Sequence, residues 1–144
     1  MIVVPDDTTH VEERSKRRPR NTDYPPYTIG SLMEPALAVF HPDMTVAQTV
    51  AQLRTLIKSA FITYGYVTDD VGRLVGIITM RDLLFSEDDV RLEELMLRNP
   101  FYLEPQMPLA EAMKLALHRH YPVYPVCDER GVLVGLVRGD AMFE

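Results

Sequence analysis

The stretch LVGIITMRD, residues 74–82, occurs a second time, one residue shorter, as LVGLVRGD at residues 133–140. In each copy an aliphatic run leads directly into a charged segment, a pattern typical of a buried strand followed at once by a helix. Internal repetition reflects architecture more reliably than local propensity does. The repeated junction therefore predicts two copies of one structural unit.

The repeat extends over most of the chain. At an offset of 63 the matched pairs are Leu32 with Leu95, Met33 with Met96, Pro42 with Pro105, Met44 with Met107 and Ala47 with Ala110. At an offset of 59 they are Val67 with Val126, Asp69 with Asp128, Gly72 with Gly131, Leu74 with Leu133, Val75 with Val134 and Gly76 with Gly135. The second copy has therefore lost four residues between its first helix and the strand that follows.

Each copy predicts the same elements, a helix, a hairpin of two strands, and a second helix. The first helices present apolar stripes made of Val46, Val50, Leu53 and Ile57 in one copy and of Leu109, Ala112, Met113, Ala116 and Leu117 in the other. The predicted strands are residues 62–68, 74–79, 123–127 and 132–137, and a short helix is predicted at 81–85. Such a unit is a small α/β (α+β) layer whose sheet face must be covered by its twin.

Composition and charge exclude several classes of protein. The 144-residue chain is 47% hydrophobic and 25% charged, as soluble globular proteins are, and it has no apolar run long enough for a membrane helix. A net charge of −6 argues against nucleic acid as the main partner, because phosphate binding needs a basic surface. The single cysteine, Cys127, lies in an apolar strand pattern, which indicates a buried thiol and a reducing, cytoplasmic location.

Residues 1–27 differ from the rest of the chain. They show no hydrophobic period and contain the basic cluster Arg14, Lys16, Arg17, Arg18 and Arg20. This composition predicts a flexible basic leader. A patch for nucleic acid or for lipid headgroups is the alternative.

The tandem duplication, the segment GIITMRD at 76–82, and the segment YPVCD at 124–128 followed by Gly131 together resemble a pair of CBS domains, also called a Bateman module. The resemblance covers residues 29–143. It implies two tandem β-α-β-β-α units, at 28–90 and 91–144, packed sheet to sheet with pseudo-twofold symmetry. It also implies a homodimer formed through the helices of the CBS units.

Within this family the chain is most similar to the cytosolic CBS pair of MgtE-type magnesium transporters. The shared features are the segment Met80-Arg81-Asp82, the early Leu32-Met33, and the acidic stretch after the helix. The superhelical domain that usually precedes such a pair is not in the sequence, and neither is the membrane domain that would follow Glu144.

The junction at residues 79–82 has the chemistry of an anion or nucleotide site. A threonine ends the strand and an aspartate lies three residues on, where a helix start exposes N–H groups and a positive dipole end. By the resemblance, Asp82 would hold ribose, Thr79 would lie near phosphate, and Arg81 would contact phosphate or base. The same pattern is also a helix-capping motif that contributes only about 1 kcal/mol to stability.

The neighbouring strand would supply the base-binding surface of this predicted site. Tyr64 or Tyr66 could cover the adenine face, with apolar help from Ile78.

The second copy of the junction is not equivalent to the first. Arg138 stands where Thr79 does, Asp140 comes one position early, and Gly139 lies between them. Arg138 could bind phosphate and Asp140 could hold ribose, but the shifted spacing predicts a weaker or empty cleft. The residues predicted either to line a cleft or to form core strand are Tyr121, Pro122 and Val123.

Acidic residues cluster after the first junction, at Glu87, Asp88, Asp89, Glu93 and Glu94. Mg²⁺ binds carboxylate oxygens while keeping several waters, so Asp88 and Asp89 are candidate ligands of a weak magnesium site. The alternative is a solvated turn followed by a helix start.

The sequence contains no Walker phosphate loop, no Gly-x-Ser-x-Gly segment, no His-Glu-x-x-His and no Cys-x-x-Cys. We therefore expect a sensor that binds AMP, ADP or ATP and not an enzyme. The resemblance implies the regulatory module of a magnesium or divalent-cation transporter, at the cytoplasmic face of the membrane. The alternatives are a free-standing CBS dimerisation or interaction module with empty clefts, and nucleic-acid binding through residues 14–20.

Overall fold

Residues 23–143 are described by a computed structural model of the chain, so the basic cluster at 14–20 lies outside the described residues. The elements in chain order are a 3-10 helix Ile29–Leu32, β1 Val39–Phe40, α1 Val46–Leu56, β2 Tyr64–Thr68, β3 Leu74–Thr79, α2 Met80–Leu84, α3 Leu92–Leu95, β4 Leu97–Arg98, α4 Leu109–Ala116, β5 Val123–Cys127, β6 Leu133–Arg138 and α5 Gly139–Met142. The predicted mixture of helices and strands and its repetition are confirmed.

The first compact unit comprises residues 36–100 and 131–133. Its four-stranded sheet has the order β1-β2-β3-β4, with β1 parallel to β2 and the other neighbours antiparallel. Its core consists of Ala38, Phe40, Val46, Leu53, Val67, Ile78, Leu83, Leu92 and Met96.

The second compact unit comprises, among the described residues, 23–35, 101–130 and 134–143. Its sheet consists of β5 and β6, extended by a parallel bridge from Leu103 to Val126 and an antiparallel bridge from Glu34 to Leu136. Its core consists of Ile29, Met33, Leu103, Ala112, Ala116, Tyr124, Val126, Val137 and Met142.

The two sheets have the same register. Phe40 pairs with Val67 in the first unit. The residues that correspond to Phe40 at an offset of 63 and to Val67 at an offset of 59 are Leu103 and Val126, and these two form a bridge in the second unit. The pair of Leu97 with Ile77 corresponds in the same way to the bridge of Glu34 with Leu136. The repeat seen in the sequence is therefore also a repeat of strand pairing.

The compact units do not follow the sequential division at residues 28–90 and 91–144. Ile29 and Met33, from the start of the first repeat, lie in the core of the second unit. Leu92 and Met96, from the start of the second repeat, lie in the core of the first unit. Each unit thus contains the opening segment of the other repeat.

The first helices of the two repeats differ in length. Thr45 caps α1 by accepting a hydrogen bond from the backbone N–H of Gln48 (3.2 Å). The last residue of α4, Ala116, corresponds to Leu53, so α4 is about one turn shorter than α1 and accounts for most of the missing residues. The predicted apolar stripes were wrong at Ile57 and Leu117, which are 57% and 54% exposed because each helix ends before them.

Candidate functional site

The first junction is continuous, because β3 ends at Thr79 and α2 begins at the next residue. Thr79 has an extended backbone, and its hydroxyl accepts a hydrogen bond from the backbone N–H of Asp82 (3.1 Å). The hydroxyl therefore caps the helix, as the capping motif predicts. The cap holds Asp82 in the first turn of α2.

The Asp82 carboxylate is half-buried, and within residues 23–143 it has no hydrogen bond or ion pair from a side chain. An ionised carboxylate can accept hydrogen bonds at both oxygens. Arg81, next to it, is exposed and lies with its guanidinium carbon 5.8 Å from the ring centre of Phe85. Arg81 is therefore in weak contact with an exposed ring and not paired with Asp82.

The pairing of β2 with β3 decides which side chains accompany Thr79. Tyr64 pairs with Thr79 and Tyr66 with Ile77, so these four side chains lie on one face of the sheet. Ile78 pairs with Gly65 on the opposite face, and its side chain is fully buried in the core. The side chain of Ile78 is therefore not beside the tyrosines, since successive residues of a strand point to opposite faces.

The two tyrosine rings lie edge to face, with centroids 6.3 Å apart and an angle of 81° between their planes. Tyr64 is half-buried, whereas Tyr66 is 1% exposed. The Tyr66 hydroxyl is buried and has no hydrogen-bond partner among the residues that the structure describes. Burial first, and then the neighbouring Tyr64, raises the pKa of Tyr66, so its phenol stays neutral at physiological pH.

The second junction is arranged differently. Arg138 occupies the residue before α5 but makes no side-chain cap. Its Nε lies 3.3 Å from Oδ1 of Asp140 and 3.5 Å from Oε2 of Glu34. The sequence analysis did not identify Glu34 as a site residue. The repeat aligns Glu34 with Leu97, which pairs with Ile77 on β3, so the repeat could have placed Glu34 beside β6 near the second junction.

Gly139 fixes the start of α5 against the chain that precedes β5. Its N–H donates a hydrogen bond to the carbonyl oxygen of Pro122 (2.8 Å), and a Cβ on Gly139 would lie 2.6 Å from the carbonyl oxygen of Tyr121. Tyr121 and Pro122 are both exposed and precede β5. The alternative that these residues form core strand is therefore wrong for Tyr121 and Pro122, and it is confirmed for Val123, which is buried at the start of β5.

The acidic stretch after α2 lies at the surface. Asp88 and Asp89 are exposed, and the carbonyl oxygen of Asp88 accepts a hydrogen bond from the N–H of Ala47 (3.1 Å). Over the described part of the chain, no group of three or more His, Cys, Asp or Glu side chains is arranged to hold a metal ion. A magnesium site at Asp88 and Asp89 stays a prediction that needs only two carboxylates and bound waters.

The sequence model of the CBS domain matches residues 29–88 and 92–141, which are the two repeats. The chain belongs to the CBS domain family. It contains a tandem pair, as the duplicated junction and the repeated strand register indicate.

The magnesium transporter MgtE of Thermus thermophilus is 34% identical over 116 residues, which are 80% of this chain and 26% of that protein. The MgtE of Bacillus subtilis is 27% identical over 123 residues, 85% of this chain and 27% of that protein. This CBS pair therefore spans about a quarter of the length of these relatives.

The crystal structure of the cytosolic domain of the Mg²⁺ channel MgtE in complex with ATP has a TM-score of 0.82 and 31% identity, covering 91% of this chain and 54% of that chain. The match to MgtE confirms the resemblance on which the sequence prediction rests. None of the helices within residues 23–143 is both long and apolar enough to cross a membrane.

Proposed function

We propose that this CBS pair binds an adenine nucleotide, AMP, ADP or ATP, at the start of α2. Asp82 accepts hydrogen bonds from the ribose hydroxyls, Thr79 lies near phosphate, Arg81 contacts phosphate or base, and Tyr64 or Tyr66 covers the base. The main observation behind this proposal is that Asp82 is half-buried and that its carboxylate has no side-chain partner within residues 23–143. Its support is the 31% identity to the cytosolic domain of the Mg²⁺ channel MgtE, whose crystal structure is a complex with ATP.

The proposed role is regulatory and not catalytic. We propose that the pair is the nucleotide-sensing module of an MgtE-like magnesium or divalent-cation transporter and acts at the cytoplasmic face of the membrane. The similarity to MgtE over 80% of the chain supports this role. A nucleotide regulates such a module only if it binds one arrangement of the pair more tightly than another.

Isothermal titration with AMP, ADP and ATP tests the nucleotide site. We expect Asp82→Asn to weaken binding by at least about tenfold, because hydrogen bonds to a charged group contribute about 1.5–3 kcal/mol. Glu129→Gln is the matched control, since it removes one carboxylate from an exposed turn in the second unit. Equal affinities of the wild type and Asp82→Asn would refute the assignment.

Thermal unfolding gives an independent measurement on the same proteins. At a ligand concentration of about a hundred times the dissociation constant, binding should add about 2.7 kcal/mol to the free energy of unfolding. If none of the three nucleotides stabilises the chain, the free-standing interaction module becomes the better description.

Magnesium sensing is tested separately. We propose that Asp88 and Asp89 bind Mg²⁺ weakly, supported by their adjacent exposed carboxylates. Millimolar Mg²⁺ should raise the unfolding temperature of the wild type more than that of Asp88→Asn/Asp89→Asn. The same shift in both proteins would exclude these residues.

We further propose that the pair forms a homodimer through its helices. Leu84 at the end of α2 and Phe85 after it are both 76% exposed, and Phe143 after α5, at the position equivalent to Leu84, is 47% exposed. Sedimentation of the wild type and of Leu84→Glu/Phe85→Glu tests this proposal. A monomeric wild type would contradict it.

A further inference from the structure

The second junction carries its charges at different positions from the first. The offset of 59 aligns Arg138 with Thr79, Asp140 with Arg81, and Ala141 with Asp82. The helix-capping hydroxyl is thus replaced by a guanidinium, and the position of the proposed ribose ligand has no carboxylate. The remaining carboxylate, that of Asp140, lies beside the guanidinium instead.

The guanidinium of Arg138 lies between two carboxylates of its own unit. Its Nε is 3.3 Å from Asp140 and 3.5 Å from Glu34. The Arg138 and Glu34 side chains are only 34% and 27% exposed, whereas that of Asp140 is 65% exposed, so the pair with Glu34 is the less screened of the two. Opposite charges at these distances attract, and partial burial reduces the screening of that attraction. Arg138 is therefore ion-paired within the protein, although its buried Nε–H donates no hydrogen bond to any of the described residues.

A nucleotide would have to break these pairs in order to bind at the second junction. A phosphate that displaced the carboxylates from Arg138 would itself face Glu34 and Asp140, and like charges at a shared site repel. A ribose that took up the Asp140 carboxylate would leave the guanidinium with Glu34 alone. Binding of phosphate to Arg138 and binding of ribose to Asp140 would therefore each break an ion pair of Arg138.

The backbone prevents a rearrangement that would restore the geometry of the first junction. The N–H of Gly139 is bonded to the Pro122 carbonyl oxygen, and there is no room for a Cβ beside the Tyr121 carbonyl oxygen. The start of α5 is thus held against the preceding segment. Asp140 could reach the place that corresponds to Asp82 only if the chain shifted by one residue. That shift would put Arg138 at the place of Gly139, where its Cβ would clash with the Tyr121 carbonyl oxygen.

We infer that Arg138, paired with Glu34 and Asp140, closes the second-repeat site, so that the chain binds a single nucleotide at its first junction. This inference rests on the proposed nucleotide site at Asp82. The closing element is an internal ion triad whose members come from the two ends of the described chain, Glu34 near its beginning and Arg138 and Asp140 near its end.

Binding stoichiometry tests the inference directly on the full chain. Titration with AMP and with ATP should give one nucleotide per wild-type chain, none for Asp82→Ala, and one for Asp140→Ala. The dissociation constant for Asp140→Ala should stay within about twofold of the wild-type value, because a residue outside the site makes no contact with the ligand. Two nucleotides per wild-type chain, or a site that Asp140→Ala removes, would overturn the inference and leave the proposed function standing. No binding to the wild type would instead refute the proposed function.

A gain of binding is the converse test. In the Asp82→Ala background, Arg138→Thr/Ala141→Asp rebuilds the Thr-x-x-Asp spacing of the first junction, and one nucleotide per chain should bind again. A folded triple variant that binds none would show that Arg138 is not what closes the site.

The ion triad can also be tested without nucleotide. A double-mutant cycle of Glu34→Gln and Arg138→Met, measured by thermal unfolding, should give a combined shift smaller than the sum of the single shifts, because both changes break the same pair. Strictly additive shifts would show that the two side chains do not interact, and the inference would fail on that ground alone.

Discussion

Tyr66→Phe is expected to raise the free energy of unfolding of the ligand-free protein. The ring is 1% exposed, and its hydroxyl is buried with no hydrogen-bond partner among the described residues. A buried polar group without a partner costs about 1–3 kcal/mol of desolvation, and phenylalanine removes that cost while keeping the ring. A gain of about 1 kcal/mol corresponds to a rise of roughly 4 °C in the unfolding temperature of a domain of this size.

Tyr124→Phe is the matched control for this prediction. Tyr124 is also fully buried, but its hydroxyl accepts a hydrogen bond from the N–H of Tyr121 (3.1 Å) and donates one to the carbonyl oxygen of Ala116 (3.4 Å). The same loss of one oxygen should therefore destabilise the protein by about 1–3 kcal/mol. Urea denaturation of both variants measures the two changes under identical conditions. Equal destabilisation by the two substitutions would refute the reasoning.

Three further predictions concern other parts of the fold. Gly139→Ala should lower the free energy of unfolding by more than about 1 kcal/mol in urea denaturation, because the new Cβ would meet the Tyr121 carbonyl oxygen at 2.6 Å. The Cys127 thiol is fully buried, and burial is the main cause that raises its pKa to about 12, so at pH 8 a thiol reagent should modify it only after denaturation. The backbone N–H of Arg73 is the main cause that lowers the pKa of Asp69. Its folded-state pKa is then below the unfolded value, so its stabilising effect is present above the unfolded value of about 4 and is lost as the pH falls through the folded-state pKa. Asp69→Asn should therefore weaken the loss of stability between neutral pH and acid pH, measured by thermal unfolding across that range.

The repeat in the sequence predicted much of the fold, because residues that match at a constant offset within each part of the repeat are expected to pair in the same way. The bridge of Leu103 to Val126 follows from the pair of Phe40 with Val67 once the offsets are known. The packing partner of each opening segment could not be predicted. The apolar side chain of Ile29 favours burial, but the sequence does not say which core covers it, and that core is the one of the second unit.

The helix cap at the first junction could be predicted from spacing along the chain, whereas the face of the strand on which Ile78 lies was predicted wrongly. Thr79 and Asp82 are three residues apart, and the cap between them follows from that spacing. The sequence prediction placed Ile78 beside the tyrosines as an apolar contact of the base. Residues two apart in a strand share a face, so Thr79 and Ile77 share one face of β3 and Ile78 lies on the other, where it pairs with Gly65. The alternation alone could have predicted this.

The difference between the two junctions explains how one duplicated unit can provide unequal sites. The loss of a single residue moves the aspartate from the position of Asp82 to that of Asp140, and the exchange of threonine for Arg138 places a cation beside it. In the first junction the carboxylate has no side-chain partner within residues 23–143, whereas in the second it is paired. A free carboxylate can bind an external hydroxyl without breaking an internal contact, and a paired one cannot. The proposed asymmetry in binding therefore rests on charge pairing within each junction, because the strand register around both junctions is the same.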